Sequence, residues 1–267
     1  MHQADRAADF RRLHTQGVLL LANAWDAGSA RLIESLGAAA VATTSAGVAW
    51  SCGYPDGDAL PFAKLRQAVA EIARVLRVPL SVDVEGGYAD DPDAVAAHVV
   101  QLAELGVVGI NLEDGRGTPE MLCAKIVRIK QALAARGFDV YVNARTDVYL
   151  RALAPPLQRV AVVLERAALY REAGADGLFV PGLAEAAEIR AIAAHAGLPL
   201  NVLLRPTLPP LAELEALGVR RLSAGSDLAE AVFAHAANLA RGFLRDGRAV
   251  AAPRTDYGAL NALLAQR

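Results

Sequence analysis

Two carboxylates stand two residues apart in the segment Asp83-Val84-Glu85-Gly86-Gly87-Tyr88. In an extended chain, residues at that spacing share a face. A third acid, Glu113, lies in Asn111-Leu112-Glu113-Asp114-Gly115. Carboxylates that converge repel one another and raise each other's pKa unless a cation lies among them. Oxygen ligands alone suit a hard ion, Mg2+ or Mn2+. Asp83, Glu85 and Glu113 are therefore the expected metal ligands. Asp114 faces away from Glu113 and reads as structural. Arg145, in Asn143-Ala144-Arg145-Thr146-Asp147, offers a planar guanidinium that grips a carboxylate through two bonds. Its two readings are a substrate-binding group and a structural partner of Glu113. Asp147 reads as a loop or cap residue. Ser45-Ala46-Gly47 offers a hydroxyl and successive N–H groups, which either cradle an oxyanion or only make a turn.

The elements that must position these residues repeat along the chain. Short apolar runs, often β-branched, occur at 18–21, 39–43, 80–83, 109–113, 140–145, 177–181, 200–204 and 220–223. Each is near-continuously apolar, as a strand covered on both faces should be. Helical stretches follow at 27–36, 62–76, 93–105, 119–135, 157–173, 183–196, 211–217 and 228–244. The alternation predicts one α/β domain over residues 1–267, a (β/α)8 barrel of TIM type. An open doubly wound sheet is the rival, but Ala22-Asn23-Ala24-Trp25-Asp26-Ala27-Gly28 is no glycine-rich dinucleotide fingerprint. In such a barrel the site forms at the C-terminal strand ends, where the acids, Arg145 and the Ser45 segment all fall. A tail over 246–267 carries one more helix, near 258–265. Its Ala-Leu pattern lacks a partner of its own and points to docking on a neighbouring subunit.

Composition narrows the function. The chain is 54% hydrophobic but only 5% aromatic, so the core is built from Ala, Val, Leu and Ile. Net charge is −2 with no basic stripe, which argues against nucleic acid. The first residues carry no apolar signal, and no run approaches the ~18 apolar residues of a membrane span. A cytoplasmic location is the default expectation. All five histidines fall in the N-terminal segment or in helical stretches, which argues against zinc. Cys52 has no evident histidine partner, Cys123 sits early in a helix, and Lys64, Lys125 and Lys130 all fall in helices. Thiol and Schiff-base catalysis are thereby disfavoured.

Taken in order, Asn23-Ala24-Trp25-Asp26, Ser45-Ala46-Gly47, Gly53-Tyr54-Pro55-Asp56, the Asp83–Tyr88 and Leu112-Glu113-Asp114 segments, and Asn143-Ala144-Arg145-Thr146-Asp147 resemble the isocitrate lyase/phosphoenolpyruvate mutase superfamily. The resemblance implies Mg2+ near Asp83, Glu85 and Glu113, with Asp56 close by. It implies that Ser45, the Ala46–Gly47 backbone, Asp83 and Arg145 contact the substrate's carboxylate or 2-oxo group. Arg145, Ser45 and Asp56 are the expected catalytic set. It also implies a homotetramer, a dimer of dimers that swap the last helix.

Two departures matter. The family's Asp-x-Asp pair is Asp83-Val84-Glu85 here. The lyases' Lys-Lys-Cys-Gly-His loop is absent, and Gly115-Arg116-Gly117-Thr118-Pro119-Glu120 stands in its place. Isocitrate and methylisocitrate cleavage are therefore not expected, and the mutase's longer lid is missing too. The expected activity is a Mg2+-dependent carbon–carbon lyase, of oxaloacetate decarboxylase type, acting on a small 2-oxo or 2-hydroxy carboxylic acid. The alternatives are a C–C hydrolase or phosphonate enzyme of the same superfamily, and a protein that binds 2-oxo acids without turnover.

Overall fold

A computed structural model describes residues 3–115, 117–248 and 251–265. All strands are parallel and form one closed barrel. The first is broken at Ala22 into β1 (Leu19–Leu21) and β2 (Asn23–Ala24). β1 pairs with the last strand, β9 (Val219–Ser223), while β2 pairs with β3 (Val41–Thr43). That split closes the ring, so nine segments fill eight strand positions. The remaining staves are β4 (Leu80–Asp83), β5 (Gly109–Glu113), β6 (Tyr141–Arg145), β7 (Gly177–Phe179) and β8 (Leu200–Leu203). Each run expected from sequence supplies a strand, and the break at Ala22 adds the short extension at 23–24.

The helices wrap the barrel as a parallel sheet requires. They include α2 (Ala27–Ser35), α4 (Phe62–Val75), α5 (Pro92–Glu104), α6 (Pro119–Ala135), α7 (Arg159–Ala173), α8 (Ala186–His195) and α9 (Leu211–Ala216). Asp91 and Thr118 cap α5 and α6 ahead of a first-turn proline, as their sequence predicts. Gly174 ends α7 with φ 103°, a left-handed conformation in which a Cβ would be strained.

Two helices escape the periodic reading. α1 (Gln3–Arg12) is mostly polar, but Ala7 and Phe10 bury against Leu19, Leu21, Ala42, Val108 and Tyr141. It plugs the N-terminal mouth of the barrel. Gly109 makes room for it, because a Cβ there would stand 2.5 Å from the Phe10 ring. His14 follows, buried and stacked on Tyr141 with ring centroids 4.2 Å apart. The second, α3 (Ser45–Ser51), occupies the segment that the sequence left open as a turn.

The C-terminal helix expected from sequence is present as α11 (Tyr257–Ala265), after α10 (Asp227–Asp246). It rests on α2 of the same chain, where Arg31 Nε donates to the Leu263 carbonyl at 3.4 Å. Residues 249, 250, 266 and 267 of the expected tail lie outside the described residues. No described helix is long and apolar enough to cross a membrane.

Candidate active site

The ends of β4, β5 and β6 bring the expected acids and Arg145 to one mouth of the barrel. Register pairs Asp83 with Asn111, Asn111 with Asn143, and Glu113 with Arg145. Asp83 is buried, and its backbone N–H donates to Thr43 Oγ1 at 2.9 Å. Its carboxylate accepts from Glu85 N at 3.0 Å and from Asn111 Nδ2 at 3.1 Å. Burial pushes its pKa up, while Arg145 and Asn111 oppose the rise.

Just past the strand, Glu85 takes a left-handed φ of 48°, rare for a residue with a side chain. Its carboxylate accepts from the Asp58 N–H and, at 2.8 Å, from the Tyr88 hydroxyl. Burial, reinforced by the charges of Asp83 and Asp56, lifts it to about 7 against those donors. Glu113 meets Arg145 Nη1 at 2.6 Å. Such a pair ordinarily holds a carboxyl low. Here burial outweighs it, helped by Asp83, Asp147 and Glu85, and Glu113 rises to about 8.

Arg145 therefore has the structural partner that its sequence left open, and it has a second one. Asp147, expected as a loop or cap residue, is fully buried and accepts from Arg145 Nε at 2.8 Å and Nη2 at 3.2 Å. It orients the guanidinium. Burial would lower the Arg145 pKa, but Glu113, Asp147 and Asp83 more than reverse this and keep it charged. Asp114 points away and accepts from Tyr170 Oη at 2.7 Å, Arg166 at 2.5 Å and Asp147 N at 3.0 Å, a structural role as expected.

Ser45 and Ala46 hold the first positions of α3, where N–H groups lack an intrahelical partner. The Gly47 amide already donates to Thr44 Oγ1 at 3.4 Å. No side chain fits at Gly47, since a Cβ would stand 2.7 Å from Thr44 Cγ2 and 2.9 Å from Trp25 Cβ. Asp56 is exposed on the loop after α3, where its charge raises Asp83 and Glu85. With Asp58, Glu113, Lys125 and Arg151 it lines a cleft of about 860 Å3.

Sequence reasoning missed Asn111 and Asn143. Each lies two residues before a site residue, in Asn111-Leu112-Glu113 and Asn143-Ala144-Arg145, and that shared spacing was a usable signal. Asn143 Nδ2 donates to Asn111 Oδ1 at 2.9 Å, and Arg221 Nη2 reaches the same oxygen at 3.1 Å. Nothing local marked Arg221, which is fully buried and pushed down to about 10 by that burial.

Among the described residues, no group of three or more His, Cys, Asp or Glu side chains is placed so that it could hold a metal ion. The donor chemistry nonetheless fits a hard divalent ion. Asp83, Glu85 and Glu113 are all-oxygen donors, and Asp83 raises the pKa of both glutamates, a cost that a cation among them would relieve.

Fold and site together define a parallel barrel enzyme scaffold with acids and one clamped arginine at its C-terminal mouth. The family model for phosphoenolpyruvate phosphomutase matches residues 10–244, and the chain belongs to the PEP mutase/isocitrate lyase superfamily, a group of lyases and mutases. An uncharacterized protein of Mycobacterium tuberculosis is 42% identical over 224 residues, 81% of each chain. A crystal structure from Burkholderia cenocepacia J2315, provisionally described as a phosphonomutase, is 39% identical with a TM-score of 0.84. That match covers 89% of this chain and 99% of the other. Oxaloacetate decarboxylase of Pseudomonas aeruginosa is 30% identical over 177 residues, 62% of this chain and 59% of that enzyme.

Proposed function

We propose that this protein is a Mg2+-dependent carbon–carbon lyase acting on a small 2-oxo carboxylic acid, of oxaloacetate decarboxylase type. The observation that carries the reading is Arg145, partly buried and clamped between Glu113 and Asp147, beside Asp83 and Glu85. Asp83, Glu85 and Glu113 would hold the ion, with Asp56 at the cleft edge. Mn2+ would suit the same donors. The chemistry supplied by such an ion is polarisation of the 2-oxo group and stabilisation of the enolate left when a bond at C3 breaks.

The chain's own residues orient and charge-balance the acid. Arg145 takes its carboxylate, exchanging its contact with Glu113 for the substrate while Asp147 keeps the guanidinium in plane. Ser45 and the N–H groups at the start of α3 complete the cradle. Decarboxylation needs no dedicated base, which agrees with a cleft whose described lining residues include no histidine or cysteine. We further propose that α10 and α11 pack on other copies of the chain in a tetramer. Val232, Phe233, Phe243, Leu244 and Tyr257 are exposed along them. Light scattering on a size-exclusion column would return the monomer mass if this is wrong.

The functional test is NMR analysis of a panel of 2-oxo and 2-hydroxy diacids incubated with enzyme and Mg2+. Enzyme-dependent pyruvate from oxaloacetate supports the lyase. Oxalate and acetate would mean a hydrolase. An unchanged panel would refute turnover of this class.

A further inference from the structure

Arg145 accounts for one carboxylate of a substrate, and a second guanidinium stands beside it. Arg151 Nε donates to Asp147 Oδ2 at 2.8 Å, the oxygen that Arg145 Nη2 meets at 3.2 Å. Asp147 is wholly buried, so one desolvated carboxylate holds both guanidiniums, and Arg151 is the one that lines the cleft. The Arg151 backbone is fixed as well. Its N–H bonds to the Asp147 carbonyl at 2.9 Å, and Leu153 N bonds to the Val148 carbonyl at 3.0 Å.

The two guanidiniums are used differently. Arg145 is pinned on both sides, by Glu113 and Asp147. Arg151 is held through Nε alone, its side chain is 39% exposed, and its terminal nitrogens make no hydrogen bond among the described residues. It lines the cleft together with Glu113. The other described cation on the lining is Lys125. That ammonium donates to the Gly86 carbonyl at 2.7 Å and feels the charges of Asp90 and Asp58. The remaining charged lining residues, Asp56, Asp58, Asp90, Glu113 and Asp114, repel an anion.

We infer that Arg151 reads a second anionic group on the substrate and so selects 2-oxo dicarboxylates over 2-oxo monocarboxylates. The inference rests on the proposed 2-oxo acid site and adds to it a specificity residue. A planar guanidinium with one edge anchored and the other open is suited to a two-bond grip on a carboxylate. A methyl group at the same place would leave that edge unpaired and would desolvate it for nothing.

The test compares acids matched in length. Oxaloacetate with 2-oxobutyrate, and 2-oxoglutarate with 2-oxovalerate, are titrated calorimetrically into Mg2+-loaded wild type, Arg151→Gln and Arg151→Lys. Wild type should prefer the diacid of at least one pair by about tenfold or more. Arg151→Gln should lose about tenfold for that diacid and less than about twofold for its monoacid partner, with Arg151→Lys between. Unchanged melting temperatures show that the variants are folded. Wild type that binds diacid and monoacid alike, or an Arg151→Gln loss equal for both, overturns the Arg151 assignment and leaves the 2-oxo acid site standing. Wild type that binds none of the four overturns both.

Discussion

Lowering the pH from 7 to 5 should destabilise the barrel through one histidine at its closed end. His14 is buried, and its Nδ1 lies 2.8 Å from the Phe10 carbonyl, which fixes a neutral ring as donor there. Nε2 has no partner and cannot take a proton cheaply. Burial, then the nearby Arg221 charge, lowers its pKa from 6.5 to about 4. The unfolded chain therefore binds the proton first. Stability is complete above pH 6.5 and falls as the pH drops toward 4. The full shift corresponds to about 3.4 kcal/mol, of which about 2 kcal/mol is lost by pH 5. Glu85 and Glu113 act in the opposite sense, so the contribution must be isolated by difference. His14→Phe keeps a ring against Tyr141 and removes the titration. Urea unfolding of both proteins at pH 7 and pH 5 gives the comparison. The variant's stability relative to wild type should improve by about 2 kcal/mol between those two values. A difference that does not change with pH would refute the reasoning.

Further outcomes follow from the site. Asp147→Asn removes the buried charge shared by Arg145 and Arg151 and should cost about 2–3 kcal/mol, a fall of roughly 5–10 °C in melting temperature by calorimetry. Glu85 and Glu113 bind protons more tightly folded than unfolded, so in a His14→Phe background, where the opposing histidine is gone, the metal-free protein should lose stability as pH rises from about 4.5 to 8. Saturating Mg2+ should flatten that slope in thermal scans, and an unchanged slope would argue against an ion among these acids. Gly47→Ala should destabilise by about 1–3 kcal/mol in urea, because its Cβ meets Thr44 and Trp25.

The strands were legible because a sheet buried on both faces must be apolar throughout, and Val82, Ile110, Leu112, Val142 and Leu178 all have no exposed surface. Asp83, Glu113 and Arg145 were legible because each ends a strand, whereas Glu85 lies past β4 with φ 48°, so the two-residue strand spacing did not place it. What stayed hidden depends on contacts far apart in the chain. α1 is recognisable only once Phe10 is seen to fill the space left by Gly109. Asp147 looks like any loop acid until two arginines close on it. Asp58 and Tyr88 reach Glu85 through left-handed turns, φ 57° and 58°, that nothing in their side chains announces.

The central claim is that carboxylates and Arg145 form one metal-dependent site for a 2-oxo acid. Isothermal titration of oxaloacetate, 2-oxoglutarate and pyruvate, with and without Mg2+, tests it most directly. Binding of at least one acid should require Mg2+ and should disappear in both Glu113→Ala and Arg145→Ala. No binding of any of them with Mg2+ present, or binding that survives Arg145→Ala, would contradict the account.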